Sequence, residues 1–209
     1  MADAAPCILG IDSGLTMTKA VVFDAGGRVL SFARCRIAQT IPQPRHVERD
    51  MMALWQATAQ AIREALATAG SAADIVAVAA TAHGDGVYLL DHSAQPLGPG
   101  ILSLDSRAGA IIQRWQDDGT ASAALPLSGQ MPHASAPSAL LAWMRDHQPD
   151  RFARIGHVLA CKDWLRLCLT GTIGTDLTEA STSFTDVGTQ VWSRSEEHTS
   201  ELQSHVNLV

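Results

Sequence analysis

A polar turn near the start of the chain holds the residue types best suited to binding a charged ligand. Apolar runs at 7–9 and 20–23 predict a buried strand on either side of this turn. A tight turn exposes backbone N–H groups, which together with nearby hydroxyl groups can hold phosphate oxygens. We therefore predict a phosphate-binding site formed by Asp12, Ser13, Gly14, Thr16, Thr18 and Lys19.

Asp12 has a separate role in this prediction, because a carboxylate repels a phosphate group. It suits a hydrated Mg²⁺ ion, which keeps several waters and takes few protein carboxylates. An ordinary hairpin with polar turn residues is the alternative interpretation, and the residue types alone do not separate the two.

Hydrophobic spacing predicts the elements that must position this turn. A helix is expected at 51–69, with Asp50 as its N-cap and Gly70 at its end. The run 75–80 predicts a buried strand, with 87–91 as its hairpin partner. The other predicted strands are 7–9, 20–23, 28–33 and 158–160, and the other predicted helices lie within 104–118, 138–146, 149–155 and 162–169. This order predicts an α/β or α+β domain with a central sheet.

Composition limits the class of protein. The 209 residues are 46% hydrophobic and 17% charged, which is typical of a globular chain with one well-buried domain or two small ones. A net charge of −6 without a basic block argues against a nucleic-acid partner, and no apolar run approaches the roughly 20 residues of a membrane span. The N-terminus lacks a secretory signal pattern. Buried free thiols in the cytoplasm are the expected state of Cys7, Cys35, Cys161 and Cys168.

The spacing Asp12-x-Gly14-x-Thr16-x-x-Lys19 resembles the first phosphate loop of the actin-like ATPase fold, which sugar kinases, actin and large heat-shock chaperones share. The turn lacks the Gly-Lys-Ser/Thr of a Walker loop and the Gly-x-Gly-x-x-Gly of a Rossmann fingerprint. The resemblance implies an α/β, actin-like ATPase (ribonuclease H-like) domain with a mixed central sheet flanked by helices. It also implies that this is the first of the two domains of a sugar kinase.

Four later segments resemble motifs of the FGGY carbohydrate kinases, in the order in which that family carries them. The family motifs are Glu-Gln-Asp/Asn-Pro…Trp, Met-His-Gly, Trp-x-Asp-x-Arg and Lys-Asp-Tyr-Leu…Leu-Thr-Gly…Asp-x-Ser-x-Ala. The similar segments here are 44–55, 82–84, 103–107 and 162–181. Within the family, the chain is most similar to the branch of L-xylulose kinase, xylulokinase and erythritol kinase.

The resemblance implies a sugar site as well as a phosphate site. A neutral His83 can both donate to and accept from sugar hydroxyls, and the carboxylate of Asp105 suits vicinal hydroxyls with Arg107 to orient it. A glycine-rich turn with an exposed histidine, and a helix N-cap role for Asp105, are the alternatives. The residues predicted to bind substrate are Ala82, His83, Gly84, Asp85, Asp105 and Arg107, and those predicted near the cleft are Glu48, Asp176 and Thr178.

For the parent enzyme, the resemblance implies transfer of the ATP γ-phosphoryl group to a hydroxyl of a pentulose or polyol, with Mg²⁺ as cofactor. The catalytic general base is expected to be an Asp of a second domain beyond Ser193, so the chain alone is expected to be inactive. A small-molecule substrate, a cytoplasmic location and a homodimeric parent enzyme complete these expectations. A non-catalytic actin-fold ATP-binding module and a sugar-binding module are the alternatives.

The last residues depart from this pattern. Residues 194–205 match the translation of a common sequencing-library adapter over twelve consecutive positions. We therefore expect 194–209 to be an artefactual, disordered tail, and 1–193 to be the truncated kinase domain. A genuine polar tail is the alternative.

Overall fold

The computed structural model describes residues 5–70 and 73–192. It begins with the expected meander of three antiparallel strands, in which β1 is Ala5–Ser13, β2 is Met17–Asp24 and β3 is Val29–Arg36. In β1, every second residue from Cys7 to Ser13 is buried, because successive side chains of a strand point to opposite faces of the sheet. The strands extend beyond their apolar centres and bring the polar turn 14–16 to one end of the sheet.

A short strand and a long helix follow the meander. Strand β4 is Glu48–Arg49, and helix α1 is Met51–Ala69. The predicted N-cap is confirmed, because the Asp50 carboxylate accepts a hydrogen bond from the Ala53 N–H at 2.7 Å. The helix ends at Gly70, whose φ of 83° suits a residue without a side chain. Its buried face packs against β2 and β3.

The next strand corrects two predictions, of which the first is its burial: none of its residues is buried, and Val76 and Val78 are 60% and 51% exposed. Strand β5, Ala73–Ala82, pairs in parallel with β1, and the sheet order is β3-β2-β1-β5. The predicted hairpin between β5 and 87–91 is wrong, because β6, Tyr88–Leu90, pairs antiparallel with β8, His157–Leu159. β5 pairs with the free edge of β1 along nine residues, whereas β6 forms only three pairs with β8. Helix α1 lies in the crossover connection that a parallel pair of strands needs.

The remaining elements follow β5 in the chain, and α6 packs against β5. Three of them, β7, α3 and α7, were not predicted, and neither was β4. Helix α3 contains Pro126, and because proline disfavours a helix interior, the sequence pattern did not predict this helix. The bounds of these elements are β7 Gly100–Ile101, α2 Gly109–Asp117, α3 Thr120–Ser128, α4 Pro137–His147, α5 Pro149–Phe152, α6 Cys161–Thr170 and α7 Leu177–Ser181.

Two hydrophobic clusters stabilise the domain. The first lies between the sheet, α1 and α6 and contains Leu9, Leu54 and Trp164. The second is centred on α4 and includes Leu140 and Ile111. All four cysteines are free, as expected, but only Cys7 and Cys161 are buried, whereas Cys35 and Cys168 are partly exposed. Within 5–70 and 73–192, no helix has the length and apolar character needed to span a membrane. The predicted tail 194–209 lies outside the described residues.

Candidate active site

The predicted phosphate turn joins β1 to β2 and presents two charged groups at its rim. Asp12 and Lys19 are cross-strand partners, and the Lys19 ammonium lies 2.7 Å from the Asp12 carboxylate. Both side chains are about half-exposed. Thr16 is exposed at the tip of the turn, and the Gly14 N–H donates to the Met17 carbonyl at 2.9 Å. These residues are placed to meet a ligand from solvent.

Two other members of the predicted phosphate site point into the core. Thr18 is fully buried, and its hydroxyl lies 3.1 Å from the hydroxyl of Thr58 on α1. Ser13 is also fully buried, and its hydroxyl has no hydrogen-bond partner among the described residues. The alternation of β1 and β2 forces this result, because neighbouring residues of a strand face opposite sides of the sheet. The geometry therefore favours a structural role for the hydroxyl group of Thr18, and it turns the hydroxyl group of Ser13 into the core as well.

The turn rests on a residue that the sequence analysis did not single out. The guanidinium of Arg49 lies beneath the turn and donates to the carbonyls of Gly14 and Leu15. Arg49 belongs to β4, so its neighbour Glu48 points to the other side of the chain. The carbonyls are not visible in a sequence motif, and this contact could be found only from coordinates.

Glu48, Asp105 and Arg107 form a buried ionic network. The Arg107 Nη2 lies 2.7 Å from both a Glu48 oxygen and an Asp105 oxygen. The Asp105 and Arg107 side chains are 0% and 1% exposed, whereas Glu48 is 14% exposed. Glu48, which was predicted near the cleft, therefore meets the predicted pair Asp105 and Arg107 at one place.

The network also shows how the Asp105 carboxylate is used. Its oxygens accept hydrogen bonds from the Val47 N–H at 2.6 Å and from the Arg107 backbone and side chain. The Arg107 guanidinium lies over the ring of Trp143, 5.2 Å from its centre. Asp105 is thus a partner that holds Arg107, and its predicted contact with sugar hydroxyls stays a prediction. Ala108, not Asp105, occupies the N-cap position of α2.

The predicted sugar-binding histidine lies just beyond β5. The His83 Nδ1 lies 3.1 Å from the Gly84 carbonyl, and its Nε2 lies 3.2 Å from the Tyr88 hydroxyl. Burial lowers the pKa of His83 below 6.5, and the positive charge of Arg49 lowers it further. The neutral ring is therefore favoured at neutral pH, and a neutral imidazole can serve as both donor and acceptor.

The turn after His83 is held in a strained conformation. Asp85 has a φ of 57° and Gly86 has a φ of 74°, so both lie in the left-handed region. The Gly86 N–H donates to the Ser135 carbonyl at 2.9 Å, which fixes the turn against the segment before α4. A non-glycine residue in this region costs of order 1 kcal/mol or more, and such residues cluster at functional sites.

His133 belongs to none of the motifs identified in the sequence, yet it contacts a residue predicted to bind substrate. Its Nε2 lies 3.5 Å from the Asp85 carboxylate. About half of its side chain is exposed to solvent. Its partner lies on a distant segment of the chain, and no local spacing pattern could have linked the two residues.

The two remaining cleft predictions form a second group, at the start of α7. The Asp176 carboxylate contacts the Lys162 ammonium, and it also caps α7 by accepting from the Glu179 N–H at 3.0 Å. Burial acts to raise the pKa of Asp176, but the hydrogen bonds from Lys162 and from the Glu179 N–H, together with the charge of Lys162, outweigh it and the net pKa is lowered. Asp176 and Thr178 line an open hollow of about 610 Å³.

The predicted phosphate turn follows β1 and the turn at 83–86 follows β5, so both lie at the same end of the sheet. The Ser13 carbonyl accepts a hydrogen bond from the His83 N–H at 3.0 Å, and Asp12 is the register partner of Thr81. Strand β4 connects the buried ionic network to this end of the sheet, because Arg49 contacts the β1–β2 turn and its neighbour Glu48 contacts Arg107. The three groups of predicted site residues are therefore linked at the same end of the sheet.

The family of the chain follows from a comparison with protein-family models. The model described as "FGGY family of carbohydrate kinases, N-terminal domain" matches residues 7–203. The matched range extends into the predicted artefactual tail, which lies outside the described residues, so the tail stays a prediction.

Curated relatives carry the names of sugar and polyol kinases. The L-xylulose/3-keto-L-gulonate kinase of Escherichia coli is 41% identical over 176 residues, which are 84% of this chain and 35% of that protein. The erythritol kinase of Brucella abortus is 32% identical over 185 residues, which are 88% of this chain and 36% of that protein. The chain spans little more than a third of the length of these relatives.

Solved structures agree with the predicted fold. The xylulose kinase from Rhodospirillum rubrum superposes with a TM-score of 0.86 at 25% identity, over 90% of this chain and 39% of that one. A glycerol kinase from Plasmodium falciparum, solved with ADP, is 19% identical and superposes with a TM-score of 0.83. The expectation of an actin-like ATPase fold with a mixed central sheet flanked by helices is confirmed.

Proposed function

The chain belongs to the FGGY family of carbohydrate kinases, and we propose that it is part of an ATP-dependent kinase that phosphorylates a pentulose or a polyol. The observation that carries this proposal is the hydrogen bond of 3.0 Å between the His83 N–H and the Ser13 carbonyl. It keeps the predicted phosphate turn next to the predicted sugar turn, as phosphoryl transfer between two bound molecules requires. The names of the L-xylulose and erythritol kinases support this class of acceptor.

On the phosphate side, we assign the rim of the β1–β2 turn to the nucleotide. Lys19 supplies a positive charge, and the exposed Thr16 supplies a hydroxyl and a backbone N–H. The half-exposed carboxylate of Asp12 fits a hydrated Mg²⁺ ion, which needs few protein ligands. When bound, such an ion neutralises part of the charge of the phosphate groups.

On the sugar side, we assign recognition of hydroxyl groups to His83, Asp85 and His133. These side chains are partly exposed and carry donors and acceptors. Gly84 leaves room for the backbone to approach a ligand, and Ala82 sets the register of the turn. Arg107 is held by Asp105 and pairs with Glu48. A more distant contact with the substrate is assigned to Asp176 and Thr178.

The acceptor hydroxyl must lose a proton during the transfer, and we assign this step to a general base outside the present chain. Two observations support this assignment. The chain spans only 35% of its L-xylulose kinase relative, and the carboxylates of Asp12 and Asp85 already contact Lys19 and His133. We propose that this chain binds ligands without turnover. The whole enzyme is expected to act in the cytoplasm, where ATP is available, and its homodimeric state stays a prediction.

The test is a titration of the 209-residue chain followed by ¹⁵N–¹H correlation spectra. Mg·ATP is expected to shift the amide signals of 12–19, and L-xylulose or erythritol those of 82–86. Asp12→Ala is expected to abolish the first effect and spare the second. Asp74→Ala is the matched control, because Asp74 is an exposed carboxylate at the opposite end of β5. An assay of ADP release is expected to show no turnover.

Each outcome separates the candidate functions. If sugars shift the spectrum and Mg·ATP does not, the chain is a sugar-binding module. If Mg·ATP alone acts, it is an actin-fold nucleotide-binding module. Robust ADP release would contradict the proposed need for an external base.

A further inference from the structure

Arg49 is a buried cation without a carboxylate partner. Its exposed fraction is 1%, and no carboxylate of the described residues lies within 4.0 Å of it. Burying an ionised group is costly unless other groups compensate it. Here the compensation comes from main-chain carbonyls, since the guanidinium donates to Gly14 and Ala38 at 3.4 Å and to Leu15 at closer range. Two of these three carbonyls belong to the β1–β2 turn.

These contacts fix the direction of the neighbouring N–H groups. In a planar trans peptide, the C=O of one residue and the N–H of the next point in opposite directions. Because Arg49 draws the carbonyls of Gly14 and Leu15 inward, the N–H groups of Leu15 and Thr16 face away from it. In the part of the chain that the structure describes, neither of these N–H groups donates to another protein group. Two unpaired donors therefore lie side by side at the tip of the turn.

We propose that Arg49 is a positioning residue for the phosphate-binding turn. It holds two consecutive carbonyls so that the N–H groups of Leu15 and Thr16 are directed at phosphate oxygens before the ligand arrives. Its charge adds to the attraction, because no buried carboxylate next to it cancels that charge. This inference rests on the proposed function of the turn, and it adds a role for a residue that does not itself touch the nucleotide.

Strand β4 connects the contact between Arg49 and the turn to the buried ionic network of Glu48, Asp105 and Arg107. Glu48 and Arg49 are neighbours in β4, and antiparallel pairing with Gly100 and Ile101 of β7 holds both in place. Their side chains serve opposite faces, since Glu48 pairs with Arg107 and Arg49 supports the turn. A displacement of β4 would therefore change both sides of the proposed site together.

The experiment compares Arg49→Met with Arg49→Gln in the 209-residue chain. Methionine fills the buried volume without any donor, whereas glutamine keeps an amide that can still donate to a carbonyl. Arg63→Met is the control, because Arg63 is exposed on α1 and its loss changes the net charge equally. The probe is Mg·tripolyphosphate, titrated while the amide signals of Leu15 and Thr16 are followed. Signals outside the turn report whether each variant is folded.

Loss of two or three hydrogen bonds from a charged donor is expected to weaken tripolyphosphate binding by at least about tenfold in Arg49→Met. Arg49→Gln is expected to recover part of this loss, and Arg63→Met is expected to stay within about twofold of the original chain. Faster hydrogen exchange of the turn should accompany the loss. If Arg49→Met does not fold, the Arg49→Gln variant must still bind more weakly than the control.

Two results would overturn the inference, and they are distinguishable. Equal affinity of the original chain and a folded Arg49 variant overturns the positioning role alone. Absence of any tripolyphosphate effect on the original chain overturns the proposed function of the turn, and this inference with it.

Discussion

Replacement of Asp105 by asparagine tests the buried ionic network most directly. Asparagine has nearly the same shape, and its carbonyl oxygen can still accept the hydrogen bond of the Val47 N–H. Its NH₂ group, however, would take the place of Oδ1 and face the backbone N–H and the Nε of Arg107, both of which now donate to that oxygen at 2.9 Å. The substitution therefore removes a charge and also places a donor against a donor.

The magnitude follows from the burial of the pair. Removing one partner of a buried ion pair typically costs about 3–5 kcal/mol, because the other charge is left uncompensated. Glu48 stays in contact with Arg107 at 2.7 Å and supplies part of the missing negative charge. We therefore expect a loss of about 3 kcal/mol, near the lower end of that range. For a domain of this size, that loss corresponds to a fall in Tm of about 6–12 °C.

The assay is thermal and urea unfolding of the 209-residue chain, followed by circular dichroism. Asp146→Asn is the matched control, because Asp146 also pairs with an arginine, Arg114, at 3.0 Å, but its side chain is 28% exposed and that of Arg114 is 51% exposed. An exposed pair of this kind is expected to contribute less than about 1 kcal/mol. Equal and small losses in both variants would refute the conclusion that the Asp105 network stabilises the domain.

The remaining predictions concern the turn at 82–86. His83 is expected to titrate below pH 6.5, because burial and then the charge of Arg49 disfavour its protonated form. Between that lowered pKa and 6.5 the unfolded chain binds more protons, so stability rises with pH across this interval and levels off above it; an NMR titration of the imidazole with a midpoint at or above 6.5 would contradict this. Gly86→Ala is expected to cost more than about 2 kcal/mol in urea unfolding, because φ is 74° and a Cβ atom would lie 2.2 Å from the Ile101 carbonyl oxygen. Gly119→Ala, with φ of 84° in open space, is the control and is expected to cost only about 1 kcal/mol; similar costs for the two variants would argue against the close contact.

Local sequence patterns were enough to predict the elements that are formed by residues close together in the chain. Short apolar runs separated by turn residues specified β1, β2 and β3, and helical spacing with Asp50 and Gly70 specified both ends of α1. The spacing of Asp12, Thr16 and Lys19 located the polar turn, and the order of the motifs indicated the family. These features follow from the fixed periods of strands and helices and from the chemistry of caps and turns, all of which operate over a few residues.

Tertiary structure decided which groups meet and which way they face. The sequence could not pair β5 with β1, direct the Thr18 hydroxyl to Thr58, or bring His133 to Asp85, because each pair of partners is far apart in the chain. It also gave no signal for Arg49, whose partners are main-chain carbonyls that every residue possesses. A hydrogen bond or an ion pair needs two groups within a few ångströms, and packing of the sheet, α1 and α4 sets those distances.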